Sequence, residues 1–257
     1  MSGMASLVVR LRPAPLAEAV AAICGLNKRR SVQTECGVFW LNPVSNLGRH
    51  LIGGEYEPQM VAVLRRYLQT GSVFVDLGAN EGFFSVIASQ IVGPSGAVIA
   101  VEPQSRLQNV IQTNLSLNTC YNVRLVRAVL SSQTEMARLQ LSTEMNTGGS
   151  SLYDNTRYPR PSEEVRSFTL AEFLSRTGTP RCDLMKVDIE GAEYDVFMNA
   201  QAILKSGVIR NIALEIHNSV LERRGLSGMD LHQTILDCGY TLCKELGPWV
   251  YRFGAGL

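Results

Sequence analysis

At 257 residues the chain is long enough for one large domain, and 46% hydrophobic against 18% charged residues excludes a disordered or collagen-like polymer. With 24 basic and 23 acidic residues the formal charge is +1, so no global field draws it onto nucleic acid or an acidic membrane. The basic pairs Arg29-Arg30, Arg65-Arg66 and Arg223-Arg224 are scattered, lack interleaved aromatics, and read as solvated surface.

Residues 1 to about 30 offer one short amphipathic helix from Leu16 to Leu26, packed either on its own domain or on a second subunit of a homo-oligomer. Glu18 interrupts the apolar stretch there, no segment reaches the roughly 18 apolar residues of a membrane span, and a cytoplasmic protein without a cleaved signal is expected. Six cysteines, Cys24, Cys36, Cys120, Cys182, Cys238 and Cys243, show no C-x-x-C spacing and read as reduced, buried thiols. Val32 to Leu41 reads as a strand or hairpin, and Pro58 to Gln69 as a helix with Pro58 in its first turn.

After Gly71 the pattern becomes strand Val73 to Asp76, helix Gly82 to Ile91, strand Ala97 to Val101, helix Gln104 to Leu117 and strand Val123 to Val126. Continuous apolar strands alternating with helices define parallel βαβ units covered on both faces. A hairpin is expected near Met136 to Leu141, then a long loop, Ser142 to Glu163, which is either a lid carrying Tyr153 and Tyr158 or a disordered insertion. Strands Val165 to Phe168, Leu184 to Asp188 and Ile209 to Ile216 follow, with helices Leu170 to Arg176, Ala192 to Leu204 and Met229 to Cys238. Tyr240 to Lys244 and Trp249 to Phe253, around Gly247-Pro248, close the chain as a hairpin that sets an antiparallel strand beside the sheet.

Four strand ends carry chemistry. Between the first apolar strand and its helix lies Asp76-Leu77-Gly78-Ala79-Asn80-Glu81-Gly82, where Gly78, Asn80 and Gly82 let the turn pass close under a ligand. The spacing is not G-x-G-x-x-G, and an acid at the strand end repels phosphate and suits a cationic group such as a methionine amine. Glu102 ends the next strand, 26 positions on, placed to accept ribose hydroxyls. Asp188 and Glu190 end a third strand beside the expected ligand crevice, and Glu193 serves equally well as a helix cap. Glu215 and His217 end a fourth, on one face by period-two geometry, with His217 suited either to proton transfer or to a structural role.

DLGANEGFFS, AVEPQS, NLSLN, RAVLSS, TGGSSLY and DLMKVDIEGAE together resemble the FkbM family of methyltransferases, from about Gly53 to Ile216. The resemblance implies a class I methyltransferase fold: a Rossmann-like α/β domain over 53–257, behind an N-terminal extension over 1–52. It implies a seven-stranded, mostly parallel sheet with an antiparallel last strand, helices on both faces, and S-adenosylmethionine as cofactor. It further implies that Asp76, Gly78, Ala79, Asn80 and Gly82 hold the methionine part, Glu102 the ribose and Ala128 the adenine edge, with Glu57 closing over the cofactor. The family's acceptors are hydroxyl groups of sugars, glycolipids or natural products, so Asp188 or His217 is expected as base and Glu190 as the orienting group. A divalent cation on Asp188, Glu190 and Glu215 is a variant of that mechanism. The alternatives are a nicotinamide or nucleotide enzyme, which lacks its phosphate-binding motif here, and a non-catalytic scaffold, which would not need the acids.

Overall fold

In the computed structural model, which describes residues 7–8, 10–11, 14–54, 56–153, 160–243 and 249–254, the chain opens with α1 (Ala14–Ile23). A hairpin follows, β1 (Arg30–Thr34) and β2 (Gly37–Leu41), joined through Glu35 and Cys36. Ser45 Oγ accepts the Gly48 amide at 3.0 Å and starts α2 (Asn46–Gly53), and Pro58 occupies the first turn of α3 (Pro58–Tyr67), where a missing N–H removes no helical bond. Then β3 (Val73–Leu77), α4 (Phe83–Val92), β4 (Ala97–Val101), α5 (Ser105–Leu117) and β5 (Val123–Val126) alternate as expected. Beyond them lie β6 (Val129–Leu130), β7 (Met136–Gln140), β8 (Ser162–Phe168), α6 (Leu170–Thr177) and β9 (Leu184–Val187). The last part is α7 (Glu193–Met198), α8 (Gln201–Lys205), β10 (Asn211–Leu214), α9 (Asn218–Arg223), α10 (Gly228–Asp237), β11 (Tyr240–Cys243) and β12 (Trp249–Phe253).

The central sheet has the order β11-β12-β10-β9-β3-β4-β5. All neighbours are parallel except β12, which runs antiparallel to both β10 and β11. Strand order reverses between β3 and β9, so the crevice for a ligand opens beyond their carboxyl ends. Along β3, Phe74 enters one apolar layer with Phe83, Phe84 and Ile111, while Val75 and Leu77 enter the other with Phe173, Met185 and Phe197. Both faces are covered, which is why these strands are apolar without alternation.

The hairpin β1-β2 belongs to the first layer: Phe39 and Leu41 are fully buried there. The outer edge of β2 meets α5, whose side chains replace a neighbouring strand. Asn114 Oδ1 accepts the Trp40 amide at 2.7 Å, Asn118 Oδ1 accepts the Val38 amide at 2.9 Å, and Asn118 Nδ2 donates to the Val38 carbonyl at 2.7 Å. The asparagines of the NLSLN segment therefore satisfy backbone groups that burial would otherwise leave unpaired.

Several local expectations are corrected. Met136 to Leu141 is not itself a hairpin: β7 pairs antiparallel with β8 across the long connection, and β8 pairs parallel with β6, forming a second, three-stranded sheet. The helix expected from Ala192 to Leu204 is broken, because Asn199 Nδ2 takes the Asp195 carbonyl at 2.8 Å and competes with the next turn. The strand expected over Ile209 to Ile216 is confined to Asn211–Leu214, and α9 follows where no helix was foreseen. Cys120, Cys182 and Cys238 are buried, whereas Cys24 is exposed and Cys36 and Cys243 are half-buried. Tyr158 and the Gly247-Pro248 turn lie outside the described residues. Among the described residues no helix is long and apolar enough to cross a membrane.

Because Phe39 packs in the main layer, Phe39→Ala is expected to lower unfolding stability by roughly 3–5 kcal/mol. Urea unfolding monitored by circular dichroism checks this, and a loss under about 1 kcal/mol would show that the hairpin only rides on the domain.

Candidate active site

Beyond the carboxyl ends of β3, β4 and β9 lies a cavity of ≈ 230 Å³. Glu57, Gly78, Ala79, Asn80, Glu102, Ala128, Asp188, Glu190 and Glu215 all line it, so nine of the expected residues meet around one space. Asp76, Gly82 and His217 do not line it.

The glycine turn is shaped by close approach. Gly78 has φ 81, and a Cβ there would strike the Asp188 carbonyl; Asn80 also takes a left-handed conformation, at φ 51. Gly82, at φ 83, faces Ile111 of α5 and lets α4 start close to it. The Gly78 and Ala79 amides both bond the Val101 carbonyl, at 3.0 and 2.9 Å, which laces the turn to the end of β4. Glu102 Oε2 accepts the Asn80 amide at 2.8 Å, and its Oε1 accepts both the amide and the Nε2 of Gln104 at 3.0 Å. Burial outweighs these bonds and pushes the Glu102 carboxyl up to about 7.

Asp76 and Lys186 are register partners on β3 and β9, with side chains on the same face of the sheet. That face points into the layer under α4, which is why Asp76 is fully buried and turned from the cavity. Its Oδ2 accepts the Ser85 hydroxyl at 2.6 Å, while its Oδ1 has no hydrogen-bond partner and stands 3.7 Å from Lys186 Nζ. The ammonium also donates to Asp188 Oδ2 at 3.3 Å and to the Gly78 carbonyl at 3.4 Å, and sits 5.4 Å from the Phe84 ring centroid. Burial works against the Lys186 charge, but Asp188 and Asp76 raise its pKa well above the ordinary lysine range.

On the other side of Asp188, His217 meets four carboxylates. Its Nε2 lies 3.7 Å from Asp188 Oδ1, 3.6 Å from Glu190 Oε2 and 4.0 Å from Glu215 Oε1, and its Nδ1 lies 3.3 Å from Glu193 Oε1. Glu193 is fully buried and accepts the Gly191 and His217 amides at 2.8 and 2.7 Å, so it ties the turn after β9 to the turn after β10. Burial disfavours the imidazolium, yet the hydrogen bond and charge of Glu193, with Glu190 and Asp188, raise His217 to about 9. Glu190 holds a left-handed backbone at φ 53 and is raised to about 7, by burial and by Asp188, Glu215 and Glu193 against the pull of His217. At the rim, Glu57 also has a left-handed backbone, at φ 42, and burial raises its carboxyl despite a hydrogen bond from Tyr56. Asp188, Glu190 and His217 each present an atom within 4.8 Å of the others, a geometry able to hold a cation; in this trio His217 takes the place expected for Glu215.

Two arginines expected at the solvated surface are instead half-buried fasteners. Arg29 forms a two-point ion pair with buried Glu81 of the glycine turn, at 2.7 and 3.1 Å, and donates to the Trp40 carbonyl. Arg224 grips Asp195 at 2.8 and 3.0 Å, donates to the Gly191 carbonyl at 2.6 Å, and lies 3.5 Å from the Tyr153 ring centroid. Tyr153 donates its hydroxyl to Asp195 at 2.6 Å, and Ser151 Oγ donates to the Glu190 carbonyl at 2.7 Å. The described start of the long loop is thus fastened beside Glu190. Lys186, Arg29 and Glu81 were missed in the sequence; a lysine inside the apolar run Leu184-Met185-Lys186-Val187 was the one available signal.

A sheet of this order, with a glycine turn after the first strand and a buried glutamate after the second, is that of a class I, S-adenosylmethionine-dependent methyltransferase. The chain belongs to the FkbM methyltransferase family: residues 76–242 match its model, described as the methyltransferase FkbM domain. It is 27% identical over 213 residues to the AMB antimetabolite synthetase AmbE of Pseudomonas aeruginosa, which covers 66% of this chain but only 10% of that protein. It is 26% identical over 214 residues to the methyltransferase sdnD of Sordaria araneosa, covering 71% of this chain and 78% of that protein. Solved structures that are similar include Aeropyrum pernix fibrillarin with bound S-adenosylmethionine, at 13% identity and TM-score 0.42, covering 76% of this chain and 73% of that one. Another is a precorrin-6y C5,15-methyltransferase of Geobacter metallireducens, at 15% identity and TM-score 0.42, covering 72% and 73%.

The raised His217 pKa sets a pH dependence. The folded state holds a proton that the unfolded state releases near 6.5, so this stabilisation is complete below 6.5 and is lost as pH rises through about 9. The urea midpoint is therefore expected to fall between pH 6.5 and 9, and to fall less in His217→Gln. A flat wild-type midpoint over that window would contradict the carboxylate cage around the ring.

Proposed function

We propose that the chain methylates a hydroxyl oxygen of a small acceptor, of the sugar, glycolipid or natural-product kind, with Glu190 as the base. What carries this reading is Glu190 itself: a cavity-wall carboxylate with a pKa pushed to about 7, where a base works best at neutral pH. AmbE, by its name an antimetabolite synthetase, adds support for the natural-product kind.

The residues present fit S-adenosylmethionine. Among the described residues lining the cavity, Lys186 is the only lysine or arginine, and it is engaged by two carboxylates, so the wall suits a nucleoside without phosphate. Glu102 would take the ribose hydroxyls, the Gly78 to Asn80 backbone the methionine part, and Ala128 the adenine edge. Glu57 would close the rim. Asp76 and Gly82 act from behind, Asp76 through Lys186 and Gly82 by admitting α4. The bound cofactor supplies an activated methyl group, transferred in line to the acceptor oxygen.

The chain must align that oxygen and remove its proton. Alignment of this kind supplies several kcal/mol, up to about 10. Of the expected bases, His217 is already protonated at neutral pH and serves as a positive charge beside Glu190 and Asp188. Asp188 Oδ2 is occupied by Lys186 and its Oδ1 lies 3.7 Å from His217 Nε2, so this carboxylate is a fixed charge that orients the acceptor. A second reading rests on the trio Asp188, Glu190 and His217, which would hold a divalent cation once His217 gives up its proton. Such a cation would lower the acceptor hydroxyl's pKa.

Calorimetric titration with S-adenosylmethionine, S-adenosylhomocysteine and NADH tests the cofactor, with binding of the two adenosyl ligands alone expected and its loss in Glu102→Ala. No adenosyl binding by folded wild-type protein would overturn the reading and favour a scaffold. With an acceptor in hand, kcat is expected to rise with pH through about 7 as Glu190 loses its proton. Glu190→Gln should lower kcat by roughly 10²- to 10⁴-fold. Activity unchanged by EDTA would exclude the cation reading, and activity restored only by magnesium or manganese would establish it.

A further inference from the structure

A second opening, of ≈ 480 Å³, lies directly beside the cavity and shares Glu57, Lys186, Asp188 and Glu215 with it. Its floor is the carboxyl end of β10, and its outer wall is Trp249 of β12, paired in register with Leu214. The indole is 37% exposed and is held in place: it makes a T-shaped contact with His232 at 5.0 Å between ring centroids, and His232 Nδ1 bonds the Tyr251 hydroxyl at 2.9 Å. An aromatic face held in place this way is a platform for the C–H face of a ring or for a cation.

The charge on the groove walls is unbalanced. Among the described residues that line the groove, Glu57, Asp188 and Glu215 meet one ammonium, Lys186, which is already shared between Asp76 and Asp188, and His217 beside the groove is itself divided among Asp188, Glu190, Glu193 and Glu215. Among the described residues no lysine or arginine lies within 4.0 Å of Glu57 or Glu215, and the nearest cationic group to Glu215 is His217, at 4.0 Å. The N-terminus of α3 offsets part of the Glu57 charge. A sulfonium in the neighbouring cavity brings one positive charge, which leaves Glu215, 59% exposed at its side chain, free to meet a second.

We infer that this groove seats the acceptor, and that it selects a hydroxylated acceptor carrying a positively charged amino group, its ring laid on Trp249 and its ammonium directed at Glu215 and Glu57. The inference rests on the methyltransferase reading and adds to it the charge class of the acceptor.

Three hexoses that differ mainly in charge test it: glucosamine, glucose and glucuronate, titrated by ligand-observed NMR into protein saturated with S-adenosylhomocysteine, with EDTA present. Glucosamine is expected to bind at least about threefold tighter than glucose, glucuronate weakest, with the gap narrowed by added salt. Glu215→Lys should reverse the order, and Trp249→Ala should weaken all three. Equal affinities, the opposite order, no binding of any of the three, or an order indifferent to Glu215→Lys would each overturn the inference. S-adenosylhomocysteine affinity is measured on the same samples: intact cofactor binding with the wrong hexose order overturns the acceptor assignment alone, whereas failure to bind the cofactor overturns the methyltransferase reading.

Discussion

Lys186 is the charge on which the site is built. An ammonium taken out of water costs several kcal/mol unless it is paired, and here the pairing comes from two strand ends on either side of the switch point. Asp76 belongs to β3, Asp188 follows β9, and the Gly78 carbonyl that also accepts from Lys186 starts the glycine turn. The three groups are held at fixed separation by one side chain, under the ring of Phe84. Remove the ammonium and Asp76 keeps only the Ser85 hydroxyl and Asp188 only the neighbouring His217, with the unbonded Asp76 oxygen fully buried.

Around that centre the chain adds fasteners from distant segments. Arg29 reaches from before the N-terminal hairpin to Glu81, so residues far upstream of the sheet hold the turn that carries Gly78 and Asn80. Arg224 and Tyr153 clamp the start of the long loop to Asp195, five residues after Glu190. Glu193 joins the turns after β9 and β10 through two backbone amides. Each device fixes a loop with charge-assisted bonds, which suits a reaction that depends on alignment more than on mobility.

The sheet was readable because its strands are buried on both faces: runs such as Val73-Phe74-Val75 and Ala97 to Val101 have no competing interpretation once helices separate them. The acids at the strand ends were readable for the same reason, since a charge closing an apolar run needs a partner or a ligand. Their orientation was not. Asp76 points into the layer under α4 because it shares a pleat with Phe74, and only the register with Lys186 reveals its partner. The pairing of strand β7 was not legible because its partner residues lie 22 to 30 positions on, beyond any local turn signal. Arg29 and Arg224 looked like surface charges because pairing with Glu81 and Asp195 is a property of the fold, not of local composition.

The most direct test of this account is the affinity of Lys186→Met for S-adenosylhomocysteine, measured by calorimetry on protein whose fold is verified by circular dichroism. The account predicts a folded variant that binds the ligand roughly tenfold or more weakly, because no ammonium ties the Gly78 carbonyl of the glycine turn to Asp76 and Asp188. Wild-type affinity in that variant would contradict it, and would show that the crevice keeps its shape without the buried ammonium.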